Sequence, residues 1–149
     1  MSQLRAAGIT VPIIGQEGYD SQKFIEIAGK AAEGVIINTS LDRDADVPET
    51  RDFINAFEKK AGFKADMVAA SAHTAVKVAA TAIQNAGSVD ADKIRAAMSA
   101  IELKVSTGTI KFNALGEVMK AVQVQMVKDG NWHHHSVIDD PELLRPPAK

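Results

Sequence analysis

The residues with the clearest potential for chemistry lie in one short loop near the start of the chain. Glu17 lies between Gly15 and Gly18, and Tyr19 follows. A carboxylate there could bind a ligand ammonium group, because a buried ammonium needs a countercharge and charge-assisted hydrogen bonds are strong. The two glycines would let the backbone approach a ligand closely. The pattern therefore indicates a small-molecule site.

Two plainer interpretations stay open for this loop. Glu17 could be an ordinary solvated carboxylate in a turn. Tyr19 could border a mostly apolar ligand pocket, or it could pack at the start of the next helix.

The elements around the loop predict a strand–helix–strand unit. An apolar run at residues 11–14 precedes the loop, Ser21 is a suitable N-cap, and a second apolar run follows at 34–38. In open parallel sheets, small ligands bind at the carboxyl ends of the strands, which is where Glu17 would lie.

The rest of the chain predicts three helices and then a small antiparallel hairpin. Pro48, Asp66 and Asp90 mark the helix starts, and the second helix is Ala-rich from 67 to about 85. Alternating segments at 109–112 and 122–126 predict strands, and Asp129-Gly130 predicts a tight turn into a return strand at 131–135. The expected fold class is α/β.

Other reactive side chains have simpler explanations. His73 is expected to be a hydrogen-bonded core histidine. Residues 133–135 are three consecutive histidines, and strand alternation would let only His133 and His135 share a metal. The chain has no cysteine and no recognisable nucleophile or phosphate-binding motif, so no catalytic residue, metal site or cofactor is expected.

Bulk properties are those of a water-soluble globular protein. The 149 residues are 46% hydrophobic and 24% charged, and a net charge of −2 offers no basic surface for nucleic acid. The polar residues within 67–87 argue against a membrane span. No signal-peptide pattern opens the chain, so this sequence by itself is not expected to be exported.

Several segments, taken in order, resemble the second half of one receptor family. They are 3–8 (QLRAAG), 12–15 (PIIG), 18–20 (GYD), 31–35 (AAEGV), Phe53 and Phe57 ahead of 62–66 (GFKAD), the Ala-rich helix, and 108–116 (GTIKFNALG). Together they resemble type I periplasmic binding proteins, in the Leu/Ile/Val-binding family that serves branched-chain amino acid ABC transporters.

The resemblance implies a partial type I fold with parts of two lobes. Residues 1–40 would belong to the carboxyl-terminal lobe, 41–47 to a crossover linker, and 48–104 to the helical part of the amino-terminal lobe. Residues 105–138 would form hinge-side strands and the hairpin, and 139–149 an irregular tail. The first half of a receptor would be absent.

The resemblance also implies a non-enzymatic function. The parent protein would be periplasmic, would capture an amino acid or related small carboxylate, and would then dock to a membrane permease. Glu17, Gly18, Tyr19 and Gly15 would be ligand-binding residues. A regulatory sensor domain of the same fold is the alternative. The chain alone is expected to bind ligand weakly or not at all, and to form a homodimer or larger assembly.

Overall fold

A computed structural model describes residues 1–144, which form helices and two β-sheets. The elements in chain order are α1 (Ser2–Ala6), β1 (Ile13–Gly15), α2 (Gln22–Ala28), β2 (Val35–Thr39), α3 (Pro48–Ala61), α4 (Met67–Ala86), α5 (Ala91–Ser99), β3 (Glu102–Val105), β4 (Gly108–Phe112), β5 (Val118–Met119), β6 (Val122–Lys128), β7 (Asn131–Ile138) and α6 (Pro141–Leu144). Short 3-10 turns lie at Glu17–Tyr19 and Gly29–Ala32.

The first sheet, called sheet 1, has the strand order β1-β2-β6-β7. β1 and β2 are parallel, whereas β6 is antiparallel to both β2 and β7. The side chains that α2 and these strands bury together include Ile25, Val35, Ile37, Val127 and Trp132. The predicted strand–helix–strand unit and the predicted hairpin are therefore confirmed, and they share one sheet.

Three of the predicted helix starts are confirmed by capping contacts, and the fourth by Pro48 as the first residue of α3. The Ser21 hydroxyl accepts a hydrogen bond from the Phe24 N–H at 3.2 Å. The Asp66 carboxylate accepts from the Ala69 N–H at 2.8 Å, and the Asp90 carboxylate from the Lys93 N–H at 3.0 Å. Each contact satisfies a backbone donor that has no partner within its own helix.

Two parts of the predicted architecture are wrong. Residues 102–104, assigned to the helical region, belong to β3, which pairs with β4 in a second sheet of order β3-β4-β5, called sheet 2. In the tail, predicted to be irregular, Pro141–Leu144 form a short helix, and residues 145–149 lie outside the described part of the chain.

Two further apolar clusters lie outside sheet 1. One joins α4 and α5 to sheet 2 through Val78, Ala82, Ile101, Val105 and Ile110. The other joins α3 to the start of α4 and to the segment after β2, through Leu41, Phe53, Ala65 and Ala70. Separate clusters fit a chain whose elements belong to two lobes, although the assignment of residue ranges to lobes stays a prediction.

Candidate functional site

The loop that contains Glu17 leaves sheet 1 at the carboxyl ends of its parallel strands. Gly15, the last residue of β1, pairs with Ile37 of β2. The chain then makes the 3-10 turn Glu17–Tyr19, and Ser21 caps α2 directly afterwards. Three of the four predicted site residues therefore lie in this turn, and Gly15 ends the strand just before it. The Glu17 side chain is exposed there.

Gly15 has a packing role that was not predicted. A β-carbon at this position would lie 2.4 Å from Cδ2 of the Tyr19 ring, so the ring occupies the space that a side chain would need. Gly18 differs, since no heavy atom lies within 4 Å of a β-carbon built there. Of the two glycines, Gly18 is thus the one with open space for an approaching ligand.

Tyr19 packs at the start of α2 and also borders an open cavity. Its ring centroid lies 5.0 Å from that of Phe24, which stacks on Trp132 at 5.9 Å. The residue is nevertheless 46% exposed, and it borders an open cavity that Ile14, Gln16 and Gly18 also line. Tyr19 therefore packs against the helix on one side and presents aromatic surface to the cavity on the other.

Lys120 reaches the same edge of sheet 1 and was not predicted as a site residue. It lies just before β6, which runs antiparallel to β2, so the start of β6 adjoins the end of β2. Burial lowers the pKa of the Lys120 ammonium, and the negative charge of Glu17 acts in the opposite direction. Only the pairing of β6 with β2 reveals this neighbour.

A buried cluster of polar side chains lies beside the same loop. Asp20 has a fully buried side chain, and it accepts hydrogen bonds from the Thr39 hydroxyl and from the Arg43 guanidinium. Arg43 also donates to the Gln125 amide oxygen and to the Ala65 carbonyl, both at 3.1 Å. We call Asp20, Thr39, Arg43 and Gln125 the junction cluster, because it joins sheet 1 to the loop before α4.

The segment after β2 is held to sheet 1 by further polar contacts. The Gln125 amide donates to the Asp42 carboxylate at 2.9 Å, and Nδ1 of His134 lies 2.8 Å from the same carboxylate group. Nδ1 of His133 lies 3.1 Å from the Asp44 carboxylate. His133 and His134, rather than His133 and His135, therefore converge on one segment.

His73 lies in a separate cleft that α3, α4 and β3 line. Its ring stacks on Phe53 at 4.9 Å, and Nδ1 lies 3.0 Å from the Ser106 hydroxyl. Burial, followed by the positive charge of Lys77, lowers the pKa of His73. The expected hydrogen bond of His73 is therefore confirmed, but its expected place in the core is wrong, because the side chain is only part-buried and lines the cleft.

Two negative findings apply to residues 1–144. No group of three or more His, Cys, Asp or Glu side chains has an arrangement suited to a metal ion. In the same part of the chain, every helix is too short or too polar to span a bilayer.

Comparison with known proteins agrees with the geometry. A family model described as periplasmic binding protein matches residues 1–131. A curated relative from Pseudomonas aeruginosa, the leucine-, isoleucine-, valine-, threonine- and alanine-binding protein, is 29% identical over 118 residues, which are 79% of this chain and 31% of the relative. The chain thus spans about a third of that relative's length.

Solved structures show the same partial coverage. The leucine-binding protein LivK from Thermotoga maritima superposes with a TM-score of 0.84 and 29% identity, over 95% of this chain and 41% of that one. A solute binding protein of an ABC transporter from R. palustris, solved with benzoate, gives a TM-score of 0.80 over 91% of this chain and 38% of that one; at 20% identity it shows the fold alone. The expected partial α/β fold is confirmed.

Proposed function

Because the chain belongs to the periplasmic binding protein family, we propose that it supplies one wall of a receptor that captures an amino acid or a related small carboxylate. The observation that carries the proposal is the exposed Glu17 turn at the carboxyl edge of sheet 1. A crevice at this edge is the general ligand position in open parallel sheets. The relatives named above are binding proteins, which supports capture without catalysis and does not favour a regulatory sensor domain.

The Glu17 carboxylate is the proposed partner of the ligand ammonium. Gly18 beside it leaves open space, and Tyr19 provides a half-exposed aromatic surface. A carboxylate, an open backbone and an aromatic wall together suit a ligand with a cationic end and an apolar body. Gly15 contributes indirectly, because its missing side chain lets the Tyr19 ring lie against the strand end.

The proposed mechanism is capture between two lobes followed by docking to a membrane permease. Residues 1–40 and 48–104 would contribute to different lobes, with 41–47 crossing between them. Closure of two lobes around a ligand is a common way to remove the ligand from water. The family's description supports a periplasmic location for the parent receptor.

Substitution of Glu17 tests the ammonium role. Glu17→Gln keeps the shape and removes the charge, so in a complete receptor it should weaken amino acid binding by about 1.5–3 kcal/mol. Glu26→Gln is the matched control, because Glu26 lies on the neighbouring helix and forms an exposed ion pair with Lys23. Calorimetry that shows equal affinities for both variants and the unaltered protein would make Glu17 a turn residue only.

The chain by itself should bind amino acids weakly, with dissociation constants of about 1 mM or more, because an unclamped ligand keeps few contacts to offset its lost freedom. Titration of the isolated chain with leucine, followed by amide NMR shifts, measures this affinity. Micromolar binding by a monomer would contradict the proposal that a second wall is needed.

We also propose that the chain associates with a second copy of itself. On α4, Val68, Val76 and Ile83 are 66%, 68% and 44% exposed, and their spacing places them on one side of the helix. An apolar face of this kind usually marks an interface, and an intimate dimer would bury more than about 2,000 Å².

Two substitutions on α4 separate association from folding. Ile83→Asp should leave the fold intact and abolish association, whereas Val78→Asp should unfold the chain, since Val78 is buried in the cluster with α5 and sheet 2. Gln84→Asp on the exposed surface of α4 is the control. Sedimentation that shows a compact monomer of the unaltered chain at micromolar concentration would overturn the association.

A further inference from the structure

We propose that the cleft between α3, α4 and β3 is a second ligand site, which takes a small aromatic carboxylate that carries a ring hydroxyl. The cleft has a volume of about 490 Å³, within the usual size range of small-molecule pockets. It shares no lining residue with the cavity that Tyr19 borders, so its ligand need not be the one that the Glu17 turn would bind.

The apolar side chains of the cleft include two aromatic rings. Phe53, Phe57 and Val105 line it, and the ring centroids of Phe53 and Phe57 are 5.7 Å apart. The His73 ring stacks on Phe53 with an angle of 29° between the ring planes. A further planar ring can pack against this group, because offset aromatic pairs are favourable beyond the area that they bury. The apolar part of the cleft therefore indicates a ligand with a flat aromatic body.

The charged side chains of the cleft favour an anion. Three are lysines and two are acidic, namely Lys60, Lys77, Lys104, Glu49 and Asp52. Among residues 1–144 none of these five side chains has a hydrogen bond or an ion pair. Glu49 lies in the first turn of α3, where the helix dipole favours a negative charge. The positive charges exceed the negative ones, so the lysines can bind a ligand carboxylate.

Lys77 lies near the aromatic part of the cleft. It follows His73 by four residues on α4, so the two side chains project from the same side of the helix. Burial is the main cause of the lowered pKa of His73, and the positive charge of Lys77 is the second cause. Such an effect requires proximity, since exposed charges are largely screened beyond about 10 Å. A carboxylate on a ring that packs beside His73 would therefore reach the Lys77 ammonium.

The Ser106 hydroxyl determines which nitrogen of His73 is left for a ligand. Ser106 donates its one proton to the Ala70 carbonyl at 3.2 Å, so its oxygen accepts the hydrogen bond of 3.0 Å from Nδ1 of His73. In the neutral ring, Nε2 is then an acceptor that has no partner among residues 1–144. A ligand that covered Nε2 without a donor would leave this lone pair unsatisfied, whereas a ring hydroxyl would donate to it.

Four probes and two amide signals test the site in the unaltered chain. 3-hydroxybenzoate and 4-hydroxybenzoate carry both groups, benzoate lacks the hydroxyl, and 4-methylphenol lacks the carboxylate. Each is titrated to about 20 mM at about pH 7.5, where His73 is neutral, while the amide NMR shifts of Ser106 and Gly18 are followed. Ser106 reports on the cleft and Gly18 on the Glu17 turn.

At least one hydroxybenzoate should shift the Ser106 amide with a dissociation constant of about 1 mM or less. Benzoate and 4-methylphenol should bind at least about threefold more weakly, because each lacks one of the two polar contacts.

Four variants complete the experiment. Lys77→Met should weaken binding of the carboxylate probes about threefold and leave 4-methylphenol unchanged, whereas Lys77→Arg keeps the charge and should restore most of the loss. His73→Phe keeps an aromatic ring and removes Nε2, so it should abolish the preference for hydroxybenzoate over benzoate. Lys59→Met is the control, because Lys59 is exposed on α3 and does not line the cleft.

Three outcomes would overturn the second site. In the first, no probe shifts the Ser106 amide, or shifts appear at Gly18 alone. In the second, Lys77→Met binds the hydroxybenzoates as tightly as the unaltered chain does. In the third, benzoate binds as tightly as both hydroxybenzoates, which removes the hydroxyl contact and the proposed ligand class with it. If His73→Phe fails to fold by circular dichroism, the Lys77 variants still decide, because Lys77 is exposed.

Discussion

The junction cluster and the edge of sheet 1 that holds Glu17 and Lys120 lie side by side but use their charges differently. In the junction cluster the Asp20 and Arg43 side chains are buried or nearly so, and each has protein partners. At the edge, Glu17 is exposed, and Lys120 is half-buried without a hydrogen bond among the described residues.

The difference separates charges that stabilise the fold from charges that remain accessible at the surface. A buried charge without partners costs several kcal/mol, so the charges of the junction cluster must be satisfied for the chain to fold. The charges of Glu17 and Lys120 at the edge of sheet 1 are partly solvated, so they need no protein partner for the chain to fold. Breaking the cluster should therefore affect stability, and altering the edge should affect binding.

The largest effect is expected from Arg43→Met. This change removes one of the two side chains that bond to Asp20 among residues 1–144 and leaves the buried carboxylate with the Thr39 hydroxyl. It should lower the free energy of unfolding by about 3–5 kcal/mol. Urea denaturation followed by circular dichroism measures the loss.

Two further variants serve as controls for the loss of stability in Arg43→Met. Arg95→Met removes an exposed pair with Asp92 and should cost less than about 1 kcal/mol. The double change Asp20→Asn with Arg43→Met should recover part of the lost stability, because the stranded charge is removed with its partner. Equal losses for Arg43→Met and Arg95→Met would contradict the structural role of the junction cluster.

A smaller loss of stability is expected at Gly15, where the end of β1 contacts the Tyr19 ring. In Gly15→Ala the added methyl group would displace the Tyr19 ring from β1 and disturb its contact with Phe24, at a cost of about 1–2 kcal/mol. Gly18→Ala meets open space and should change stability by less than about 0.5 kcal/mol. Thermal unfolding compares the two, and equal melting temperatures would show that the ring swings aside without loss.

The smallest effect concerns pH and His73, which lies away from both regions. Its pKa is lowered below 6.5 in the folded chain, so the unfolded chain binds the proton more readily. The neutral His73 ring therefore makes its full contribution to the free energy of unfolding above pH 6.5, and this contribution is lost as the pH falls below 6.5.

Urea denaturation between about pH 5 and pH 8 measures this slope. The dependence on pH should be shallower in His73→Gln than in the unaltered chain. The exposed His135→Gln serves as the control and should keep the original slope. An unchanged slope in His73→Gln would assign the acid sensitivity to other groups.

Local sequence signals predicted the elements and the turn that carries the candidate site. Caps at Ser21, Asp66 and Asp90 act within three residues of their partners, so residue types alone reveal them. The Asp129-Gly130 turn is equally local, and Asp129 adopts the expected positive φ of 51°. Glu17 was found because its flanking glycines and the following cap are contiguous in the chain.

Signals that depend on distant pairing were missed. The spacing of Ile94, Met98 and Ile101 favours a helix that continues past Ser99, yet α5 ends there and Ile101 is buried beside sheet 2 just before β3 begins. Nothing near Arg43 in the sequence indicates that it contacts Gln125, which is 82 residues away.

The sequence by itself determined where most helices and strands begin, and that Glu17 lies just after an apolar strand, because these features depend on neighbours a few residues away. Only the tertiary structure decided that β6 lies antiparallel beside β2, that Lys120 therefore shares an edge with Glu17, and that the Tyr19 ring occupies the space above Gly15. Strand pairing and side-chain packing join residues distant in the chain, and the free energy of those contacts is set by partners that no local pattern contains.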